Sequence, residues 1–212
     1  MATRYNIHPE NPQMRLINQV VDQLQKGAVM LYPTDTVYAI GCDINSKAGQ
    51  QRIRKIRNLP DNKPLTFVAS SISQISDYAK ISDSAYQVIR QLVPGPYTFL
   101  LPATRLVPNL VLNSKRTTTG IRVPDHFLCQ LLIAELGNPL VSMSAKLETW
   151  DEPTYNEELF DTFESLVDII IEIDAEYRSP YGDHLSTMID FTGDVPQLVR
   201  EGLGIELASQ IV

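Results

Sequence analysis

A short apolar run that ends in hydroxyl and carboxylate side chains constrains this chain more than any other feature. Residues 28–32, Ala-Val-Met-Leu-Tyr, have the composition of a buried strand. Residues 33–42 follow directly and place Thr34, Asp35 and Thr36 at the end of that strand. Open α/β sheets bind small ligands at the carboxyl ends of their strands. The segment therefore predicts an α/β sheet with polar residues at a binding edge.

Helical and strand patterns interleave along the rest of the chain. Residues 16–24 carry Ile17, Val20, Val21 and Leu24 at the spacing of an amphipathic helix. Further helices are predicted over 46–58, 72–78, 84–92 and a segment capped by Asp125, and strands over 64–69, 97–101, 120–123, 140–142, 167–172, 187–191 and 198–200. Some strands follow one another without a helix between them. The order therefore predicts an α/β fold with a twisted mixed sheet flanked by helices.

The charge is unevenly distributed along the 212 residues. The formal net charge is −7, but residues 147–177 hold eleven acidic side chains and no Lys or Arg. The other residues carry 18 basic against the remaining 14 acidic side chains, a net charge of +4. This asymmetry permits a basic groove and so leaves nucleic acid open as a partner. The acidic residues 148–164 are the least core-like part and are predicted to form a surface excursion.

The composition also predicts the compartment. Cys42 and Cys129 lie far apart without metal-ligand spacing, which favours a reducing environment. The first residues lack the apolar run of a secretory signal, and no run approaches the roughly 20 residues that span a bilayer. We expect a cytoplasmic protein with no membrane partner.

Two basic clusters could bind phosphate. Residues 52–57 place four cations in six positions of a predicted helix, and Lys63 follows them in the next loop. A second cluster, Lys115 and Arg116, precedes a predicted strand. Such clusters form either a solvated surface or a wall that binds phosphoryl oxygens. Both interpretations stay open from the residues alone.

Arg122 stands between Ile121 and Val123, inside an apolar strand. A guanidinium in the interior of a strand needs an anion, and either a structural carboxylate or a ligand would supply one. Both alternatives remain open at this stage.

Hydroxyl side chains recur at the strand ends. Ser142 and Ser144 end one predicted strand, Ser186 begins another, and Arg200 ends the last. Together they suit a pocket that holds a nucleotide or an amino acid by hydrogen bonds and charge. The chain has neither a P-loop nor a dinucleotide-binding glycine motif, and its three histidines match no metal spacing, so no metal ligands are assigned.

Five ordered motifs resemble the YrdC-like family. They are residues 33–38 (PTDTVY), 94–98 (PGPYT), 120–124 (GIRVP), 139–145 (PLVSMSA) and 186–190 (STMID) followed by 200–202 (REG). The resemblance covers nearly the whole chain, and residues 7–12 and 57–60 are most similar to the YciO subgroup. It implies a single YrdC-like domain over residues 1–212, with the sheet surrounding a concave basic cavity.

The resemblance also implies a function. Members of the family act as L-threonylcarbamoyladenylate synthases of a nucleotidyltransferase type. They condense ATP, L-threonine and bicarbonate for the threonylcarbamoyladenosine modification of tRNA, with Mg²⁺ expected and no covalent intermediate. Others have been described as binding double-stranded RNA or tRNA.

The family's residue roles carry over onto matching positions here. The implied L-threonine-binding residues are Thr36, Arg122, Ser142 and Ser186. The implied nucleotide-binding residues are Thr118, Ser144, Arg200, Arg57 and Lys63. The predicted RNA-binding residues are Arg52, Lys55, Arg57, Lys63, Lys115 and Arg116.

Four positions depart from the synthases. A Lys-x-Arg pair becomes Arg57 and Leu59, the Asn of a Ser-x-Asn becomes Lys146, and a threonine-contacting His becomes Val68. Because Leu59 removes a cation, we expect weakened or altered activity. A non-catalytic RNA-binding protein and a nucleotide hydrolase that uses the same cavity remain alternatives.

Overall fold

Ten strands form one mixed sheet in the described part of the chain. The computed structural model describes residues 1–60, 63–113, 115–146, 157–174 and 184–212. The strands are β1 (Thr3–Asn6), β2 (Met30–Tyr32), β3 (Ala39–Asp43), β4 (Thr66–Val68), β5 (Tyr97–Pro102), β6 (Thr118–Arg122), β7 (Leu140–Ser144), β8 (Ile169–Glu172), β9 (Thr187–Asp190) and β10 (Gln197–Arg200). Their spatial order is β1-β8-β2-β3-β7-β4-β6-β5-β9-β10. The pairs β1–β8, β8–β2, β4–β6 and β5–β9 are parallel and the others antiparallel, which confirms the predicted fold class.

The described helices flank this sheet. They are α1 (Met14–Gln25), α2 (Lys47–Ile56), α3 (Ile72–Tyr78), α4 (Asp83–Leu92), α5 (Phe127–Leu136), α6 (Glu157–Phe163) and α7 (Ile205–Ile211). The predicted apolar face of α1 is buried, and α1 packs against α5. Ser46, Ser71 and Ser82 cap the next three helices, because each side chain accepts a backbone N–H three residues later. Among the described helices, none has the length and apolarity needed to cross a bilayer.

The central strands present two different faces. Successive side chains of a strand point to opposite sides. One side is apolar and fully buried, with Phe67, Phe99, Ile121 and Val141. The register pairs Ser142 with Thr66, Thr66 with Gly120 and Gly120 with Leu100, so the alternate residues form a row on the opposite side. This second face carries the polar residues and positions the site.

The sequence pattern does not predict strand β3. The sequence pattern predicts a polar segment and no strand within residues 33–42, whereas Ala39–Asp43 is the fully buried strand β3. Periodicity cannot distinguish such a short, two-sided buried strand from a turn. The exposed edge strand β1 and the short helix α7 were also missed, since neither has a strong apolar pattern.

Asp125 does not cap α5. His126 occupies the N-cap position and its side chain makes no capping hydrogen bond. The backbone N–H of Asp125 instead donates to Oδ2 of Asp35, 2.9 Å away. A tertiary contact has replaced the local one that the sequence suggested.

The predicted acidic excursion is in part a core element. Its residues 148–156 lie outside the described residues. Within α6, Leu159, Phe160 and Phe163 are buried, and Phe163 is completely inaccessible. Acidic side chains on the exposed positions of the helix concealed this apolar face from a reading based on net charge.

The absence of a side chain at Gly41 in β3 makes room for the ring of Tyr32 from β2. A Cβ on Gly41 would lie 2.8 Å from Cε1 of Tyr32 and 2.8 Å from the carbonyl oxygen of Val141. The ring of Tyr32 thus occupies the space that a side chain at position 41 would fill. Because one of the two contacts is backbone, no rotamer change can relieve both.

We predict that Gly41→Ala lowers the free energy of unfolding by about 1–3 kcal/mol, the usual cost of overpacking a core. Gly193→Ala is the matched control, because its Cβ would meet only the Val195 carbonyl oxygen at 3.8 Å. Chemical denaturation measures both. Equal stability of the two variants would contradict the close approach at Gly41.

The burial of Cys42 should make the free energy of unfolding fall at alkaline pH. Burial raises the pKa of this thiol to about 12. Above the ordinary thiol pKa the unfolded chain loses a proton that the folded chain keeps, so stability falls as pH rises toward 12. The slope is about 1.4 kcal/mol per pH unit for one group. We expect wild type to lose stability faster than Cys42→Ala between pH 9 and 12, and parallel losses would contradict this.

Candidate functional site

The polar face of the sheet holds a cavity of about 480 Å³. We call the residues that line it the cavity wall. The wall contains every residue predicted to bind the amino acid, Thr36, Arg122, Ser142 and Ser186. It also contains every residue predicted to bind the nucleotide, Arg57, Lys63, Thr118, Ser144 and Arg200. The fold therefore brings residues from distant parts of the chain together, while their individual roles stay predictions.

Arg122 is held on three sides by the protein. Its Nη2 donates to Oδ1 of Asp35 at 2.5 Å, its Nη1 to Oγ1 of Thr36 at 2.7 Å, and its Nε to the Gly95 carbonyl at 3.4 Å. The side chains of Arg122 and Asp35 are each only 11% exposed. The structural carboxylate that the sequence left open is therefore Asp35, and because Arg122 also lines the cavity, ligand binding by it stays a prediction.

The hydroxyl of Thr36 is oriented by its neighbours. The Thr34 hydroxyl donates to the Val37 carbonyl at 2.7 Å, so in its 3.1 Å contact with Thr36 it acts as the acceptor. Thr36 consequently donates to Thr34 and accepts from Arg122. Its hydrogen is used within the protein, which makes Thr36 a support for Arg122.

Arg200 lacks such a carboxylate. Its Nε and Nη2 donate to the Ser186 carbonyl at 3.0 and 2.8 Å, and Nη2 also donates to the Ser186 hydroxyl at 2.9 Å. Within the described ranges Arg200 forms no salt bridge, and it lines the cavity half-buried. Burial and the positive charge of Arg122 lower the pKa of Arg200. A bound anion would relieve this unfavourable burial of charge.

Thr98 contacts Ser186 in the cavity wall and was not predicted as a site residue. Its hydroxyl lies 2.8 Å from that of Ser186, and both side chains are buried. Register places Thr98 beside Arg122 on one side and Met188 on the other. The only sequence signal was its place in the motif of residues 94–98, which did not indicate on which face its side chain lies.

Arg54 anchors the loops that carry the other cations. It is only 8% exposed and donates to the carbonyls of Pro60, Lys63 and Leu110 at 2.6–3.1 Å. These bonds tie together two loops that bring Lys63 and Arg116 to the cavity wall. The cluster at 52–57 was predicted to be a solvated surface or a phosphate wall. Arg54 is neither, because backbone oxygens surround its guanidinium.

The remaining predicted RNA-binding cations occupy three different environments. Arg116 lies in the cavity wall, and Lys55 and Lys115 are exposed outside it. Arg52 pairs with Asp168 and donates to the Leu166 carbonyl at 3.1 Å. The side chain of Arg52 is 41% exposed in this pair, so its role in RNA binding stays a prediction.

A Mg²⁺ ion could be accommodated together with a nucleotide. No cluster of three His, Cys, Asp or Glu residues exists among the described residues. Asp190 contributes a carboxylate to the cavity wall, and its Oδ1 accepts the Thr192 N–H at 2.8 Å. Mg²⁺ commonly takes one or two carboxylates plus substrate phosphates. Asp190 fits that limited role.

Comparison with known proteins identifies the family. A family model named Sua5_yciO_yrdC, described as "Telomere recombination", matches residues 22–202. This match covers most of the chain. The chain belongs to the Sua5/YciO/YrdC family.

Three relatives extend the comparison. The chain is 41% identical to Escherichia coli YciO, over 96% of this chain and 97% of that protein, and the YciO crystal structure superimposes with a TM-score of 0.88. It is 35% identical to the threonylcarbamoyl-AMP synthase of Vibrio vulnificus over 76% of this chain and 89% of that one. The crystal structure of P. abyssi Sua5 complexed with L-threonine matches with a TM-score of 0.89 at 26% identity, over all of this chain and 61% of Sua5.

We predict that Arg122→Ala lowers the free energy of unfolding by about 3–5 kcal/mol, because it leaves the carboxylate of Asp35 buried and unpaired. Arg4→Ala is the matched control, since Arg4 forms exposed ion pairs with Asp161, Glu164 and Glu172. Exposed pairs contribute about 1 kcal/mol or less. Urea unfolding compares the two variants, and similar losses would mean that Arg122 is not a structural ion pair.

Proposed function

We propose that the cavity binds ATP and L-threonine and condenses them with bicarbonate to threonylcarbamoyl-adenylate. The observation that carries this proposal is Arg200, a half-buried cation in the cavity wall that forms no salt bridge in the described structure. Such a group favours an anionic ligand. The similarity to a V. vulnificus threonylcarbamoyl-AMP synthase and to P. abyssi Sua5 with L-threonine supports the choice of ligands.

The amino-acid end of the proposed site consists of hydrogen-bond donors. Arg122, Ser142 and Ser186 line the cavity and can donate to a carboxylate. Arg122 is rigid because Thr36 and Asp35 hold it. Such preorganisation lowers the entropic cost of holding the substrate.

The nucleotide end consists of cations and hydroxyls. Arg57, Lys63 and Arg200 supply positive charge for the phosphates, and Thr118 and Ser144 supply hydroxyls. A bound Mg²⁺ would neutralise phosphate charge, with Asp190 as its protein ligand. In our proposal Arg116, from the second loop, adds charge at the same wall.

The proposed reaction needs positioning and charge neutralisation. The L-threonine amine and bicarbonate form a carbamate with loss of water. A carbamate oxygen then bonds to the α-phosphorus of ATP and displaces pyrophosphate. The residues of the chain hold the two substrates in line and stabilise the negative charge at the phosphates.

Leu59 weakens the proposed chemistry. This side chain packs against the hydrophobic core, so no cation stands where the synthases carry an Arg. Losing one preorganised charge contact costs about 3–4 kcal/mol of transition-state stabilisation, or roughly 100- to 1000-fold in rate. Val68, 5% exposed beside Arg122, likewise replaces a polar contact to the amino acid.

We predict slow but measurable product formation by wild type, and faster formation by the double variant Leu59→Arg with Lys146→Asn. A coupled pyrophosphate assay with ATP, L-threonine, bicarbonate and Mg²⁺ measures the rate, and omission of each substrate in turn controls for hydrolysis. Leu106→Arg combined with Lys146→Asn is the charge-matched control, because Leu106 is 63% exposed and outside the cavity wall.

Two outcomes would contradict the proposal. Absence of threonine-dependent pyrophosphate release from both wild type and the double variant would exclude synthase activity. Equal acceleration by Leu106→Arg with Lys146→Asn would show that a cation at position 59 does not limit the rate.

RNA is a second candidate ligand, favoured by the exposed cations near the cavity. Lys63 and Arg116 are exposed wall residues, and Lys55 and Lys115 are exposed outside the wall. These four could contact phosphates of an RNA duplex or tRNA. Double-stranded RNA is read through phosphates and 2′-hydroxyls, which such a surface can contact without base recognition.

We predict that the logarithm of RNA affinity falls with the logarithm of salt concentration by about 0.7–0.9 per phosphate contact. Neutralising Lys115 and Arg116 together to Gln should reduce this slope by about two contacts, and Lys26→Gln, on the exposed end of α1, should leave it unchanged. Fluorescence anisotropy with a matched duplex and single strand measures the slopes. An affinity independent of salt would exclude this candidate.

A further inference from the structure

We propose that Tyr32 is a positioning residue that fixes the hydroxyl of Ser142 as a hydrogen-bond donor to a carboxylate in the cavity. The identity of the ligand rests on the proposed function. The orientation of Ser142 rests on contacts within the protein and can be tested separately.

Tyr32 is a buried phenol whose hydroxyl donates to a serine. Its side chain is completely inaccessible, and its hydroxyl donates to Oγ of Ser142 at 2.6 Å. Burial raises the pKa of Tyr32 well above its ordinary value, so the phenol stays protonated at neutral pH. A neutral buried phenol must donate its hydrogen to an acceptor or lose the energy of a hydrogen bond. Ser142 is that acceptor.

The hydrogen of Ser142 is consequently directed elsewhere. The described residues offer no hydrogen-bond acceptor to the Ser142 hydroxyl, and Ser142 lines the cavity. The backbone at Ser142 is held in place, because the Ser142 carbonyl accepts the Thr66 hydroxyl at 2.7 Å. The hydroxyl hydrogen therefore points toward the cavity. It matches an oxygen that only accepts, such as a carboxylate, and mismatches an ammonium or amide N–H.

Strands β2 and β3 bring the Tyr32 hydroxyl to Ser142. Tyr32 ends β2 and its ring crosses the adjacent strand over Gly41, which register places opposite Ser142. Any larger residue at position 41 would meet the ring at 2.8 Å. The glycine therefore keeps open the path along which the phenol reaches the serine.

A double-mutant cycle without ligand tests the contact itself. The variants are Tyr32→Phe, Ser142→Ala and their combination. Tyr5→Phe is the control, because the Tyr5 hydroxyl lies on the edge strand β1 outside the cavity wall and accepts from Nε2 of Gln23. We expect the two losses to be non-additive by about three- to tenfold in the unfolding equilibrium constant, the range of a net hydrogen bond. Additive losses would overturn the proposal.

Calorimetric titration of L-threonine tests the consequence. We expect Tyr32→Phe to weaken binding about tenfold or more, as for a hydrogen bond to a charged group, and Tyr5→Phe to leave it unchanged. The double variant should bind no more weakly than Ser142→Ala, because Tyr32 acts through that hydroxyl. Losses that multiply in the double variant would overturn the positioning role.

L-Threoninamide supplies a readout that a purely structural role would not move. Its amide N–H groups mismatch a donating Ser142, so wild type should prefer L-threonine over the amide. Tyr32→Phe leaves the Ser142 hydroxyl free to accept a hydrogen bond from an amide N–H. The difference in affinity between L-threonine and L-threoninamide should therefore become smaller. An unchanged preference would overturn the assignment. If wild type binds no L-threonine, the proposed function fails and the ligand-free cycle alone decides the role of Tyr32.

Discussion

The ion pair between Arg122 and Asp35 joins the loop after β2 to the end of β6, and the cavity depends on that connection. Asp35 also accepts the Asp125 backbone N–H, so one carboxylate holds both the strand and the segment that leads into α5. Thr36 and the Gly95 carbonyl complete the surroundings of the guanidinium. Charges this deeply buried need well-placed partners. The same contacts that stabilise the fold therefore give the cavity wall a rigid cation.

Two arginines of the cavity wall, Arg122 and Arg200, differ in the partners that the protein provides for their charge. Arg122 has its own carboxylate, whereas Arg200 has only the oxygens of Ser186 within the described structure. Arg57, Lys63 and Arg116 add positive charge, and Asp190 is a carboxylate in the same wall. The result is a concave surface suited to an anion. Membership of the Sua5/YciO/YrdC family is consistent with such a site, and Leu59, Lys146 and Val68 are the positions at which we expect this chain to differ from the synthases.

The sequence allowed good prediction wherever one signal dominated. Regular apolar spacing located α1, and the resemblance assembled residues from five motifs that the fold then brought to one cavity. It failed where tertiary contacts override local patterns. The backbone of Asp125 donates to Asp35 instead of capping a helix, and Arg54 donates to loop carbonyls instead of facing solvent or a ligand. A row of charges along a helix does not reveal which members face backbone oxygens, carboxylates or solvent.

The central claim is that this cavity binds an anionic ligand through Arg200. Thermal unfolding with ATP, and with adenosine as the phosphate-free control, tests it most directly. A ligand at 100 times its dissociation constant stabilises the folded state by about 2.7 kcal/mol. That corresponds to a rise of about 5–10 °C in Tm for a chain of this length. We expect ATP to raise the Tm of wild type clearly more than that of Arg200→Gln, and adenosine to have little effect on either. Equal shifts with ATP and adenosine, or an undiminished ATP shift in Arg200→Gln, would contradict the account.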